Sequence, residues 1–315
     1  MTAVSFPLNF RLKPAWNGRH RNRRLGVRLE IVLKRTLKGA LYGFLLFAGP
    51  VAIRNTFLRL RRNSRLTVLL YHRVNDISKD NLTTSVDRFV EHLTILKRHY
   101  NVVSLAEAKS AFREGRYLGP STVAINFDDG YADNHEIAAQ VLKHFDFPAT
   151  FFVSAGLVGT TSSFKHDERS AYRFPNLTWN QVRALVDLGF EVGSHGLNHQ
   201  NLGQCSLEEA RREISRSRDL LERNLGTPVR SFAYPFGGRE DITREVIREI
   251  RLAGFDLIAS GYGGANVGRL DLENVLRVAV NDTFGGLSFR ALVEGVTLGA
   301  LRSRFIGWTR MERHA

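Results

Sequence analysis

The sequence Ile125-Asn126-Phe127-Asp128-Asp129-Gly130-Tyr131 joins a buried strand to a pair of carboxylates. The residues from Ser121 to Phe127 are β-branched or apolar, which is typical of a strand covered on both faces. A helical pattern begins at about Ala132, after a glycine that permits a sharp turn. Adjacent carboxylates repel each other unless a cation or a proton compensates them. The pattern therefore predicts a metal or acid–base site at a strand end, or alternatively an ordinary helix N-cap.

Two later strands also end in residues that suggest a site. The strand predicted from Phe190 to Ser194 is followed by His195 and His199, which are four residues apart. Neutral imidazole is the commonest metal ligand, although such a pair can equally consist of surface or capping histidines. A third strand, beginning at Ser231, ends in a rigid Pro/Gly turn. Parallel α/β folds bring such strand ends to one edge of the sheet, where their chemistry takes place.

These three stretches, in this order, resemble the NodB-like polysaccharide deacetylases, carbohydrate esterase family four, over about residues 66 to 300. The resemblance implies a distorted (β/α)7 barrel, and the sequence before it predicts an N-terminal basic helical extension. The alternation of strands and helices by itself indicates only a parallel α/β architecture. We expect a catalytic domain over residues 65–300, a basic tail over 1–26, a helical segment over 27–64 and a second basic tail over 301–315.

The resemblance also implies roles for individual residues. Asp129, His195 and His199 would hold a divalent cation, with zinc expected first and cobalt or nickel as alternatives. Asp128 would be the general base that takes a proton from the attacking water. The turn Tyr234-Pro235-Phe236-Gly237 would contact the substrate and direct the Phe236 N–H towards the oxyanion.

The chain departs from the family pattern at three positions. Many members carry an arginine where this chain has Ala233, and Arg277 in the last strand is the candidate substitute, unless it lies on the surface. Gly196 replaces a Ser or Thr of the family. The C-terminal histidine that serves most members as general acid has no counterpart except His314 at the terminus. His72, which follows Tyr71 at an early strand end, is therefore the expected acid, or alternatively a structural histidine.

The remaining histidines match no motif of the family. We expect five of them to be solvated or capping residues: His20, His92, His99, His135 and His144. His166 lies beside Asp167 in a long stretch, residues 155–177, that has no clear period. Long loops are usually functional or disordered, so His166 could reach the substrate.

The net charge of +14 resides in the N-terminal segment. The first 66 residues contain 15 of the 45 Lys and Arg and one of the 31 acidic residues, so the rest of the chain is neutral overall. A nucleic-acid-binding domain would carry its basic excess on the folded surface. We therefore expect no nucleic-acid partner.

The basic N-terminal segment also contains a helical and partly apolar pattern over residues 27–62. Its uncharged run, Ala40 to Ile53, would span ~21 Å as a helix, which is short of the ~30 Å hydrocarbon core. The segment could lie on an anionic membrane surface, form a short or re-entrant anchor, or pack on the barrel. We expect a membrane-associated protein of the bacterial cell envelope, with a cytoplasmic location as the alternative.

The function that follows from these inferences is hydrolysis of acetamide groups. We expect a metal-dependent enzyme that removes N-acetyl groups from N-acetylglucosamine polysaccharides or oligosaccharides, such as exopolysaccharide, chitin or a peptidoglycan-like polymer. One alternative is a ring-opening amidohydrolase of the same fold that acts on small cyclic amides. Another is a membrane-tethered, non-catalytic glycan-binding protein that uses aromatic side chains such as Tyr234, Phe236 and Tyr262.

Overall fold

The structure, a computed structural model, describes residue 37, residues 39–46 and residues 49–296. The chain divides into two compact units, Met1–Tyr42 and Gly43–Ala315. The described residues of the first unit are helical. The second unit contains the strands and the helices from residue 50 onwards.

The terminal segments predicted from the sequence are only partly covered. The basic tails over 1–26 and 301–315 lie outside the described residues, as do residues 27–36, 38, 47 and 48 of the segment over 27–64. Within the described part of the chain, Gly39–Leu60 is long and apolar enough to cross a membrane by length and composition alone. This stretch is longer than the uncharged run Ala40 to Ile53, but the core helices of soluble proteins share these properties.

The second unit alternates strands with helices, as expected for a parallel α/β fold. Its strands are β1 (Arg65–Tyr71), β2 (Arg73–Val74), β3 (Thr83–Thr84), β4 (Asn101–Val102), β5 (Thr122–Phe127), β6 (Thr150–Val153), β7 (Glu191–Ser194), β8 (Ser231–Ala233), β9 (Leu257–Ala259), β10 (Asn266–Val267) and β11 (Arg277–Ala279). Its α-helices are α1 (Pro50–Leu60), α2 (Val86–His99), α3 (Leu105–Arg113), α4 (Ala139–Phe145), α5 (Trp179–Asp187), α6 (Leu207–Leu225), α7 (Arg244–Leu252) and α8 (Gly286–Glu294).

The main sheet runs in the order β10-β1-β5-β6-β7-β8-β9 and is parallel except at β10. Strand β11 pairs in parallel with β1, and Val275, just before β11, forms a parallel bridge with Ala259 of β9. These pairings link the last parallel strand back to the first, so the sheet curls into a distorted barrel. The predicted fold class is confirmed.

The central strands are buried along their whole length. Every residue of β1 and β5 is buried, which agrees with a parallel sheet covered by helices on one side and filled by side chains on the other. Phe127 of β5 and Phe151 of β6 stack with 4.9 Å between ring centroids. This packing holds the carboxyl ends of the two strands in register.

The helix predicted from Ala132 begins differently from an ordinary α-helix. Asn134–Ala138 forms a π-helical turn before α4. The Asn134 side chain is buried there and donates to the main-chain oxygen of His72 at 2.7 Å. Such π-helical turns often occur at functional sites because the wider turn redirects side chains. Here the turn ties the segment after β5 to the end of β1.

Candidate active site

The side chains predicted to act together do follow neighbouring strand ends. The structure brings to one edge of the sheet Asp128 and Asp129 after β5, His195 and His199 after β7, Arg277 of β11, and His72 after β1. These residues come from four strands of the curled sheet, β1, β5, β7 and β11. The aspartates and histidines lie close together because parallel strands end at the same edge. Arg277 is the first residue of β11, level with Val68 of β1, and its side chain reaches Asp128.

Asp128 forms a complete ion pair with Arg277. The two guanidinium nitrogens Nη1 and Nη2 donate to its two carboxylate oxygens at 2.7 and 2.8 Å, and both residues are buried. Burial alone would raise the pKa of Asp128, but Arg277 and His195 lower it below its usual value. The carboxylate is therefore charged and held in one orientation. The alternative of a surface position for Arg277 is wrong.

Asp129 lacks such a partner. Its Oδ1 lies 3.3 Å from His195 Nε2 and 3.1 Å from His199 Nε2, yet neither buried carboxylate oxygen accepts a hydrogen bond with acceptable geometry. Burial would raise the pKa of Asp129, but His199 and His195 lower it well below its usual value. A buried charged group without hydrogen bonds is costly unless another charge compensates it.

The histidines near Asp129 are oriented as metal ligands usually are. His195 Nδ1 donates to the main-chain oxygen of Ala233 at 2.9 Å, which leaves the Nε2 lone pair directed towards Asp129. Ligands about 2.1 Å from one ion lie roughly 3 to 3.5 Å apart, which is the separation of Asp129 Oδ1 from each of the two Nε2 atoms. The residues present therefore fit a divalent cation held by Asp129, His195 and His199.

The backbone at the site is strained. Asp129 has φ +75° and His199 has φ +57°, both in the left-handed region that non-glycine residues rarely adopt. Such strain persists where the surrounding structure enforces it, often at functional sites. The positive φ of +76° at Gly196 explains the absence of a Ser or Thr there, since an added Cβ would also lie 3.3 Å from Pro235 Cγ.

His72 lies within electrostatic range of Asp129, Asp128 and His195. Burial lowers its pKa, although the two aspartates act in the opposite direction. The His72 ring makes no hydrogen bond to another described residue, so the alternative of a histidine bonded to a loop carbonyl gains no support. Its role as general acid stays a prediction.

The turn after β8 presents an exposed aromatic ring and a free amide. Phe236 has φ +63° and 51% of its surface exposed, and its ring lies 5.0 Å from that of His199. Gly237 N donates to Pro235 O at 2.7 Å, and the Phe236 N–H donates to no described residue. This amide is free to meet an oxyanion.

Tyr234 does not contact the cleft through its side chain, contrary to the prediction. Its main chain still follows the register of β8, because its N–H donates to Ala259 O at 3.1 Å. The ring therefore stays on the buried face, where it packs edge-on against Phe232 with 5.8 Å between centroids. Tyr234 belongs to the core.

Of two further histidines, His92 differs from expectation, whereas His166 lies at the site that it was expected to reach. His92 is fully buried rather than solvated, with Nδ1 3.1 Å from Tyr71 Oη and Nε2 2.6 Å from Phe284 O. His166 reaches the site, with Nε2 3.5 Å from Asp129 Oδ2. Sequence reasoning assigned His166 no motif, and the only signal was its place beside Asp167 in a long loop.

Comparison with known proteins finds relatives of this chain among polysaccharide deacetylases. A family model described as polysaccharide deacetylase matches residues 115–255. YxkH of Bacillus subtilis, a presumed polysaccharide deacetylase, is 23% identical over 243 residues, which cover 77% of this chain and 81% of YxkH. The poly-β-1,6-N-acetyl-D-glucosamine N-deacetylase of Staphylococcus aureus is 25% identical over 217 residues, covering 65% of this chain and 72% of the relative.

Solved structures show the same fold. IcaB from Ammonifex degensii is similar with a TM-score of 0.61 and 26% identity, over 74% of this chain and 97% of IcaB. The Streptococcus pyogenes deacetylase PplD has a TM-score of 0.60 at 24% identity, over 70% of this chain and 94% of PplD, a likeness of fold alone. Fold and site together define a hydrolase built on a distorted α/β barrel. The chain contains a polysaccharide deacetylase domain, matched over residues 115–255, and is similar over about two thirds of its length or more to enzymes of that family.

Proposed function

We propose that this enzyme removes N-acetyl groups from an N-acetylglucosamine polysaccharide with the help of a divalent cation held by Asp129, His195 and His199. The observation that carries the proposal is the buried Asp129 carboxylate, which accepts no hydrogen bond while two imidazole nitrogens lie within 3.3 Å of it. Zinc is the expected ion, with cobalt and nickel as alternatives, because imidazole ligands suit these metals.

Each remaining site residue has a chemical task in this proposal. A divalent cation supplies Lewis acidity, which polarises the acetyl carbonyl and acidifies a water molecule. Asp128 takes the proton of the attacking water, and Arg277 keeps the Asp128 carboxylate charged and aimed. The free N–H of Phe236 donates to the developing oxyanion.

The leaving amine requires a proton, and His72 is the proposed donor. Amide cleavage without protonation would expel an amide anion, so an acid near the nitrogen is needed. His72 lies close enough to Asp128, Asp129 and His195 for their charges to influence its pKa. The two aspartates favour the protonated imidazole that this role needs, whereas burial is the larger effect and lowers the pKa of His72.

The proposed substrate is a β-linked N-acetylglucosamine polymer. The Staphylococcus aureus relative is named for poly-β-1,6-N-acetyl-D-glucosamine, and the likeness to it covers 65% of this chain. The exposed Phe236 ring beside the histidines offers an apolar surface on which a sugar face can pack. Polymers of this linkage are therefore the first substrates to test.

The decisive experiment measures acetate release from oligomers of β-1,6-linked N-acetylglucosamine. We expect activity in the purified full chain, loss of activity after chelation, and recovery when zinc or cobalt is added back. Chitin oligomers and a cyclic amide serve as comparison substrates. Activity that survives complete metal removal would contradict the metal role, and preference for the cyclic amide would contradict the polysaccharide role.

We also propose that the enzyme associates with a membrane surface through the stretch around α1. Ile53, Phe57 and Leu60 are exposed large apolar side chains on this helix, and Arg59 and Arg61 beside them are also exposed. Apolar side chains flanked by arginines favour the surface of an anionic bilayer. This arrangement supports an envelope location.

Liposome flotation tests the membrane proposal. The full chain should float with vesicles that contain anionic lipid, and the double variant Ile53→Asp, Phe57→Asp should float less while its circular dichroism spectrum stays the same. Equal flotation of the two proteins would contradict a membrane role for α1.

A further inference from the structure

The loop over residues 155–177 places a third imidazole beside Asp129. Lys165–Asp167 forms a short 3-10 turn in this loop. His166 Nε2 lies 3.5 Å from Asp129 Oδ2, the carboxylate oxygen that is not shared by the two predicted histidine ligands. Ligand atoms of Asp129, His166 and His199 all lie within 4.8 Å of one another. The His166 side chain is 26% exposed, so it covers the solvent side of the site.

Buried charged and polar groups anchor this turn. Arg73 is 1% exposed and its Nη1 donates to Asp167 Oδ1 at 2.5 Å. The Tyr131 hydroxyl lies 2.6 Å from Asp167 Oδ2. The Arg73 guanidinium also lies over the Phe174 ring at 3.8 Å, which ties a later part of the loop to the same arginine. A buried arginine with this many partners fixes the turn against the barrel.

Aromatic packing sets the plane of the His166 ring. Phe164 stacks on His166 with 5.4 Å between centroids and 12° between planes. The same Phe164 ring meets His199 edge-on at 5.2 Å. The two imidazoles are therefore positioned by one shared aromatic side chain, with their own centroids 5.6 Å apart.

His166 Nε2 also lies within hydrogen-bond distance of the Tyr131 hydroxyl. Tyr131 Oη lies 2.7 Å from His166 Nε2 and has one proton to donate. When that proton goes to Asp167, Nε2 of His166 carries its own proton and donates to the Tyr131 oxygen. Nε2 has a single in-plane position, so a cation bound there would replace the hydrogen bond with Tyr131 as well as the proton.

We propose that His166 is an additional ligand of the cation, contributed by the loop over residues 155–177. This inference rests on the proposed function. It makes the donor set one carboxylate and three imidazoles, a combination that favours zinc, cobalt or nickel over magnesium or calcium. Three of these ligands follow strands, whereas His166 comes from a loop, so removing it should leave the geometry of the other three intact.

The test compares metal binding by the full chain and two variants. Apoprotein is prepared by chelation, zinc affinity is measured by competition with a chromophoric chelator, and the visible absorption bands of cobalt are recorded. His166→Ala should weaken zinc binding at least about tenfold and alter the cobalt bands, because a directly bound nitrogen is lost. His144→Ala, which removes an exposed imidazole of α4, should match the wild type in both measurements.

The outcomes separate this inference from the proposed function. Wild-type protein that binds neither zinc nor cobalt would overturn both. Wild-type binding that His166→Ala leaves unchanged in affinity and in cobalt spectrum would overturn the inference alone. If His166→Ala is poorly folded by circular dichroism, His166→Gln, which retains size and polarity, replaces it and is judged by the same two readings.

Discussion

Asp128 and Asp129 are neighbours in the chain and equally buried, yet their surroundings are opposite. Asp128 receives two hydrogen bonds from Arg277, at 2.7 and 2.8 Å. Asp129 receives none, although imidazole nitrogens lie within 3.5 Å of both of its oxygens. One carboxylate is neutralised by a protein cation, and the other is surrounded by nitrogen ligands that suit a metal ion.

This contrast shows how one dipeptide supplies two kinds of chemistry. At a strand end, successive side chains point in different directions, and the left-handed φ of +75° at Asp129 turns it further from its neighbour. A base must be charged and accessible to a proton, whereas a ligand must keep its lone pairs for the ion. Because both residues are aspartates, their different chemistry comes from the groups that surround each carboxylate.

The largest effect should come from Asp129→Asn. The amide removes the charge that draws the cation, so zinc affinity should fall more than about 100-fold and acetate release should reach background. Metal competition titration and an acetate assay measure the two effects. Zinc binding that stays within threefold of the wild type would remove the distinction between the two carboxylates.

The same substitution at the neighbouring position, Asp128→Asn, should separate the two roles. Zinc affinity should change little, because Asp128 is paired with Arg277, whereas kcat should fall by about 10² to 10⁴ through loss of the base. The measurements are the same as for Asp129→Asn, which makes the two variants controls for each other. A loss of zinc binding equal to that of Asp129→Asn would show that Asp128 is also a ligand.

Arg277→Lys should have a smaller effect than removal of either carboxylate. Lysine keeps the charge but cannot donate two parallel hydrogen bonds, so the Asp128 carboxylate should lose its orientation. We expect kcat to fall by about 10- to 100-fold with zinc affinity retained, in the same acetate and titration assays. Wild-type kcat in this variant would mean that Arg277 serves stability rather than the orientation of the base.

The histidines differ in the same way as the two aspartates. Both ring nitrogens of His92 have protein hydrogen-bond partners, whereas Nε2 of His195 and of His199 lies near Asp129. Burial lowers the pKa of His92 to about 4, so in the folded state it stays neutral at pH values where the unfolded chain is protonated. Protonation of His92 in the unfolded chain therefore lowers the free energy of unfolding as the pH falls from ~6.5 towards 4. The loss amounts to about 3 kcal/mol in all.

Urea denaturation between pH 4 and 8 tests this prediction. The wild type should lose more stability on acidification than His92→Gln, which cannot be protonated. The difference between the two slopes should appear between pH ~6.5 and ~4. Parallel pH dependence in the two proteins would rule out His92 as the group responsible.

Much of the site was predictable because strand ends are local features. Apolar runs followed by glycine or proline mark where parallel strands stop, and Asp128, Asp129, His195 and Phe236 follow such runs directly. His166 was not predictable in this way, because residues 155–177 have no period that would indicate where the turn folds back. The burial of Tyr234 and His92 was missed for a similar reason, since burial depends on what packs against them.

The sequence by itself determined the alternation of strands and helices, and with it which polar residues come to the carboxyl edge of the sheet. Only the tertiary structure decided which of these residues meet. Arg277 contacts Asp128 because β11 pairs with β1, and β1 pairs with β5, so the curl of the sheet brings residues 149 positions apart into contact. The physical reason is that periodicity is encoded between near neighbours, whereas charge pairing and burial depend on distances set by the closed sheet.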